Sequence, residues 1–401
     1  MLRNKVILNT LVIAFCSGTG IAVIFAAIFL SIQVTYEQSK LVAICAVVGQ
    51  ILSILCSAKI GKIADSSNKE RNLRYSYFIG IVFSLIAAYL SYNNIQGIIF
   101  YITLIITSSV MTLVRMLDQS TRTSIIHLNL SKDHYLEASK YLELVRQGIT
   151  FCSGGIAILI INKDNIYGAC LFCVFCLIAS ALVSYKFDKK NITHDKDNRH
   201  DKHGTIRIFI NHASQNKNFL LMIVTLIPYS MVLALNSIYP KAFINITDSP
   251  QFYSALVIPY GIGAIVGSTL APKTVNIDWI KVSIIMMGIF SISLLCFSFT
   301  TSIVSIYFFI FTFAFCHSLI RVNRNHQLML DVDKGIIGVI SGYYEMIALS
   351  FSILLAMVST YLIDEFSFIL GMVILSSVMI SGPLIAILKI IYQPKKKVNY
   401  T

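Results

Sequence analysis

The sequence predicts an all-α polytopic membrane protein, with twelve transmembrane helices in two pseudo-symmetric six-helix bundles. Three observations predict it. First, 56% of the 401 residues are apolar and only 13% are charged, with a mean hydropathy of +0.75; that leaves too little polar surface to face water on all sides. Second, apolar runs of about 20 residues recur along the whole chain, each long enough to cross roughly 30 Å of hydrocarbon. Third, short patterns repeat between the halves at one offset. Thr112-Leu-Val-Arg115-Met116 aligns with Ser318-Leu-Ile-Arg321-Val322 206 positions later, and the same offset carries Gly61 onto Gly267. Six-span repeats of this kind are the construction of alternating-access transporters.

The expected spans are 6–31, 40–60, 75–93, 97–119, 138–161, 166–186, 217–238, 251–271, 280–300, 302–325, 335–362 and 366–391. They divide into an N-terminal bundle (1–186), a polar linker (187–216), a C-terminal bundle (217–392) and a basic tail (393–401). A short amphipathic helix is expected in the linker from Thr205 to Ala213. The N-terminal apolar run is too long for a signal peptide and reads as the first span. An even number of spans puts both termini on one side. Of 32 basic residues, only Lys40, Lys163 and Lys241 fall on the opposite side, so the positive-inside rule makes the termini cytoplasmic. The formal net charge of +13 is therefore a topological signal and not a nucleic-acid surface.

Nine cysteines lie mostly inside apolar runs and imply no disulfide framework. Cys170, Cys173 and Cys176 share a helical face; packing outweighs a soft-metal site there. The linker histidines His194, His200, His203 and His212 have no recognised metal-ligand spacing. No cofactor or metal is expected. No phosphate-cradling Gly-Lys-Ser/Thr loop or catalytic constellation is present, so neither ATP hydrolysis nor an enzyme activity is indicated.

Charge within an apolar span is costly and points to function. Arg115 lies about 27 Å along a helix entered at Gly97, and Arg321 lies equally deep in its own helix. As a pair they are candidate substrate-binding cations near the cytoplasmic end; the alternative is snorkelling or salt-bridged arginines. Asp118 and Arg122 follow Arg115 on the same helical face, and Arg324 follows Arg321 in the same way. This set is a candidate cytoplasmic latch. Arg146 either faces substrate or pairs with Glu143. Glu345, about 15 Å into a helix starting near Gly335, is the candidate proton-coupling acid; the alternative is a carboxyl hydrogen-bonded to Tyr343 or Tyr344.

The stretch Ala58–Arg74 carries the carboxylate of Asp65 four residues after a glycine, followed by Lys69, Arg71 and Arg74. The spacing Gly61-x-x-x-Asp65 with its basic tail resembles the loop between the second and third helices of the major facilitator superfamily. The family pattern has a glycine and more arginine after the acid, where this chain has Ser66, Ser67 and Asn68. The resemblance implies that Gly61 and Asp65 form a gate against the N-terminus of the eleventh helix, with Arg71 or Arg115 supplying a cation. Ala271 takes the acid's place in the second half. Further stretches, Asp118 to Ile126, Leu136-Glu-Ala-Ser139 and Gly154-Gly155, resemble the enterobactin-exporter-like branch of siderophore and drug exporters. That branch implies proton-driven export of a small organic solute by a monomer in a bacterial inner membrane. An anionic, carboxylate-type siderophore is the favoured cargo. An importer or a multidrug efflux pump of the same fold are the rivals within the class; a membrane-embedded enzyme or a non-transporting sensor are the rivals outside it.

Overall fold

The computed structural model describes residues 5–36, 39–66, 68–95, 97–160, 166–186, 205–215, 224–244, 256–274, 278–300, 302–333 and 336–392. Within them the chain forms thirteen α-helices and no strand. These are α1 (Lys5–Tyr36), α2 (Ser39–Asp65), α3 (Lys69–Tyr92), α4 (Ile98–Asn129), α5 (Tyr135–Ile160), α6 (Tyr167–Ser184) and α7 (Thr205–Gln215). They continue as α8 (Ile227–Ile244), α9 (Val257–Leu270), α10 (Trp279–Phe297), α11 (Ile303–Asp331), α12 (Ile337–Glu365) and α13 (Phe368–Tyr392). Twelve correspond to the expected spans and α7 to the linker helix. Among the described residues, nine helices are long and apolar enough to cross a membrane. A bilayer offers the backbone no hydrogen-bond partner, so helices are the economical solution for such runs.

Boundaries moved mainly where helices continue past the apolar run. α3 starts at Lys69, α4 reaches Asn129 and α11 reaches Asp331; apolar content marks the membrane, whereas hydrogen bonding carries a helix on into water. The first part of the seventh expected span lies outside the described residues, and α8 runs on to Ile244. The α3–α4 hairpin turns through Asn94 and Gly97, with φ of 52° and 92°. Both residue types tolerate that left-handed region.

Two compact units result. One comprises Met1–Asn216 with Asn325–Ser350, the other Lys217–Arg324 with Phe351–Thr401. The first unit therefore includes the end of α11 and the first half of α12. Its core is built from Ile13, Ile21, Ile24, Leu104, Met111, Cys173 and Leu177. Cys170 and Cys173 are fully buried there, and a side chain at Gly20 would collide with Cys176 Cβ at 2.7 Å. The second unit is held by aromatic packing of Phe290, Phe297 and Phe313. Its helices α10 and α13 are clasped by Ser291 and Ser376, each hydroxyl donating to the other residue's carbonyl at 2.9 Å. Small and hydroxylated residues at helix contacts are the expected glue where lipid is as apolar as the core.

Candidate functional site

The first functional cluster lies in the first unit, where α2 ends and α12 begins. A helix start leaves backbone N–H groups without intrahelical acceptors. Asp65, the last residue of α2, accepts two of them. Its Oδ1 takes the Gly338 N–H at 2.9 Å and its Oδ2 the Val339 N–H at 2.8 Å. The Ser124 hydroxyl of α4 donates to Oδ1 at 3.0 Å. The carboxylate is thus an N-cap supplied from another helix, in the position where the helix dipole favours negative charge.

Three glycines permit this approach. A Cβ on Gly61 would lie 2.6 Å from the Gly338 carbonyl oxygen, and one on Gly342 would lie 2.8 Å from the Ser57 carbonyl oxygen. A Cβ on Gly338 would lie 2.7 Å from the Asp65 carboxylate. Ser57-x-x-x-Gly61 on α2 therefore crosses Gly338-x-x-x-Gly342 on α12, a pair of small-residue motifs spaced one turn apart. Gly267 packs instead against Phe315 of α11, and Ala271 is buried in a short 3₁₀ turn. The two glycines related by the repeat thus serve different helix contacts.

The cation beside Asp65 is Lys69, not Arg71 or Arg115. Lys69 Nζ donates to the Asp65 and Ser66 carbonyls at 3.0 and 2.8 Å, and Asn72 Nδ2 donates to the Ile63 carbonyl and the Ser66 hydroxyl. The loop is tied by side chains to the carbonyls that α2 leaves unsatisfied. Arg71 is exposed, and Arg74 lies over the Tyr185 ring at 4.3 Å. Gly335 lies outside the described residues; α12 begins at Ile337.

A second cluster is centred on Asp118, which is only 1% exposed. It pairs with Arg122 at 2.9 Å, accepts from Ser17 of α1 at 2.9 Å and from Tyr77 of α3 at 2.6 Å. One buried carboxylate so joins three helices. Nothing in sequence spacing pointed to Ser17 or Tyr77. Arg115 shares that face of α4 but is exposed. It sits two and a half turns from Ile106, which belongs to the exposed apolar stripe of Ile98, Ile99, Ile102 and Ile106. Arg115 therefore points away from the stripe that α4 turns outward.

Arg146 Nη2 binds Glu143 Oε1 at 2.7 Å, and Gln147 Nε2 donates to the same oxygen at 2.8 Å. Glu345 is half-buried on α12, about 12 Å from Ile337, beside buried Tyr343 and Tyr344.

The second unit holds Arg321, 7% exposed, with its guanidinium 5.2 Å from the centre of the Tyr229 ring. The Tyr229 ring stacks on His317 at 5.8 Å, and His317 Nδ1 lies 3.5 Å from the Tyr260 hydroxyl. Arg321, Tyr229, His317 and Tyr260 thus form a cationic–aromatic cluster from α8, α9 and α11. Arg324 Nη1 donates to the Thr225 carbonyl at 3.4 Å. The tyrosines come from other helices; the repeat of Arg115 onto Arg321 marked the place, and His317, a candidate cavity residue by its position in a span, lies one turn before Arg321 on α11.

The linker helix α7 packs in the first unit. Its Phe209 stacks on Tyr343 with ring centroids 4.6 Å apart and meets Tyr344 edge-on. Burial lowers the pKa of His212, while Asp331 and Asp333 act in the opposite direction. A lowered value means that the packed helix favours neutral histidine. Packing is then fully present above the ordinary histidine pKa of about 6.5 and weakens as pH falls through it toward the lowered value. Amide hydrogen exchange over residues 205–215 should therefore accelerate between pH 7.5 and 5.5, and His212→Gln should abolish the difference. Equal exchange at both values would reject the coupling. His194, His200 and His203 lie outside the described residues. Among those described, no three His, Cys, Asp or Glu residues gather as metal ligands.

The sequence model of the Major Facilitator Superfamily matches residues 148–357. No curated protein sequence matches the chain. Several solved structures share its fold. A bacterial homologue of the iron transporter ferroportin, in an outward-facing state, matches with a TM-score of 0.71 and 13% identity, over 96% of this chain and 98% of its own. The human organic anion transporter MFSD10 matches at 0.76 and 9% identity, over 95% and 99%. The proton:xylose symporter XylE matches at 0.65 and 14%, over 95% and 94%. With its own family model spanning more than half of it, and the fold shared almost end to end with transporters of that kind, the chain belongs to the Major Facilitator Superfamily.

Proposed function

We propose that this multi-pass membrane protein is a proton-coupled secondary transporter that exports a small organic anion by alternating access. A carboxylate-type siderophore is the favoured cargo. The observation that carries the anionic reading is Arg321, buried under a tyrosine ring inside a transmembrane helix. A guanidinium kept there at the cost of desolvation is worth retaining when a charged partner visits it. Arg115, turned away from the outer apolar stripe, is the corresponding cation of the first half. Arg146 is the weakest of the three candidates, since Glu143 already holds it. The organic anion transporter among the structural relatives supports the cargo class, and the proton symporter supports the coupling ion.

Gly61 and Asp65 form the gate in this reading, with α12 as its moving partner. Asp118, Arg122 and Arg324 complete the latch, each bracing helices of its own unit. Glu345 is the proton-coupling acid. Asp118 and Glu143 are each tied to an arginine of their own helix, whereas Glu345 sits half-buried about 12 Å along α12 beside buried tyrosines. Both termini lie in the cytoplasm of a bacterial cell, the inner membrane houses the chain, and the monomer is the working unit. No ATP or resident metal takes part.

Flux into proteoliposomes, with and without a pH gradient, tests the proposal. Radiolabelled citrate or a citrate-type siderophore should move only with the gradient. Glu345→Gln should leave protein yield unchanged and make flux indifferent to pH. Gradient-independent flux by the wild type, or unchanged coupling in the variant, would overturn the assignment. The direction follows from deleting the gene and analysing medium and cell extract by mass spectrometry, with and without iron. Retention of the solute in the cell supports export, and lost uptake refutes it.

A further inference from the structure

The geometry points to a second ligand site: a groove on the surface of the first unit that takes one anionic phospholipid. It lies between the start of α3 and the end of α6 and encloses about 590 Å³, within the roughly 300–1,000 Å³ typical of ligand pockets.

The groove has two chemically distinct ends. At its mouth stand Arg71 and Arg74, with Tyr75 and Tyr185 beside them. Below them it is walled by Phe78, Ile81 and Ile178. Arg74 is held in place by the Tyr185 ring at 4.3 Å, which leaves its N–H edge free of the cost of immobilisation on binding. Arg71 has no acidic partner among the described residues. Ten residues separate Arg71 from Ile81, about 15 Å of helix, which equals one leaflet of a hydrocarbon core of roughly 30 Å.

The flanking surface says what fills it. Tyr75, Phe78, Leu182 and Tyr185 are each more than 60% exposed, so the groove opens sideways along an apolar face and not into a water-filled channel. Two arginines at headgroup height above an apolar trough complement a phosphodiester joined to acyl chains. A soluble anion would use the cationic mouth and leave the trough empty; a zwitterionic lipid would fill the trough and gain less at the mouth. Arginine suits the role because its planar fork binds phosphate oxygens in pairs.

The test uses the purified full chain in neutral detergent, incubated with an equimolar mixture of phosphatidylglycerol and phosphatidylcholine. Retained lipid is counted by native mass spectrometry. Phosphatidylglycerol should be retained preferentially by the wild type. Arg71→Gln with Arg74→Gln should weaken that retention about thirtyfold, from the roughly 1 kcal/mol that each basic residue contributes at an anionic surface. Ala181→Trp, which plugs the groove and leaves both arginines, should abolish it. Lys59→Gln with Lys132→Gln removes equal charge from exposed positions elsewhere and should retain the lipid. Glycerol phosphate in excess should not displace it. Equal retention of the two lipids, undiminished retention in the arginine variant, equal loss in the lysine variant, or displacement by glycerol phosphate would each overturn the proposal. All these readouts are independent of transport, so they stand or fall apart from the anion-export reading.

Discussion

Replacing Asp118 with Ala is expected to lower stability by about 3–5 kcal/mol, the range for removing one member of a buried ion pair. The loss is large because three donors converge on this one carboxylate. Arg122, 13% exposed at its side chain, would remain as a cation without its counter-charge. The Tyr77 hydroxyl, on a fully buried side chain, would lose its acceptor at 2.6 Å. Ser17 would lose less, since it also donates to the Ile13 carbonyl at 2.7 Å. Asp118→Asn keeps an acceptor in place and should cost less than the alanine. Tyr77→Phe removes one bond and should cost about 0.6 kcal/mol, the average for hydrogen bonds between membrane helices. Thermal unfolding of the detergent-solubilised chain reads the order Ala, Asn, Phe. An alanine variant as stable as the wild type would show that the cluster does not hold α1, α3 and α4 together.

The second large effect is expected at the α2–α12 crossing. Asp65→Ala removes the acceptor of two backbone N–H groups, each bond to a charged group being worth about 1.5–3 kcal/mol. Gly61→Ala attacks the same joint by another route, because its new methyl would meet the Gly338 carbonyl at 2.6 Å. That neighbour is backbone and has no rotamer to escape into, so the two helices must separate. Either substitution should speed amide exchange across the first turn of α12, from Ile337 to Ser341. On the proposed gating role of this contact, it should also depress flux. The double variant should cost less than the sum of the singles, because the first change already breaks what the second would break. Additive effects would mean that the carboxylate cap and the glycine crossing are independent.

How far the chain could be read in advance differs between these two places. Gly61 and Asp65 stood out from spacing and from a resemblance to a known loop. The partner helix was implied by that resemblance, but Gly338 and Gly342 are visible on their own as a four-residue repeat of small residues facing Ser57 and Gly61. Lys69 was less legible: its value lies in reaching back to carbonyls of α2, which composition does not register. Tyr77 and Ser17 carried no signal at all, since tyrosines and serines are common in every span. Arg115 and Arg321 were found by the repeat, and His317 lies one turn before Arg321 on α11, but Tyr229 and Tyr260 join this cluster from other helices more than fifty residues away in sequence.

The sequence by itself determined that the chain is helical, crosses a membrane many times, repeats its halves and carries an amphipathic linker helix. The spans and the linker helix follow from local hydropathy and local period, written within a window of about 20 residues; the repeat and the bias of basic residues emerge when such windows are compared along the chain. The tertiary structure alone decided which charges are satisfied and by what. Asp65 meets Gly338 across 273 residues of chain and Asp118 meets Ser17 across 101. Whether an intramembrane charge is a strut, a cap or an open contact depends on such long-range neighbours, because desolvation is offset only by the groups that arrive beside it.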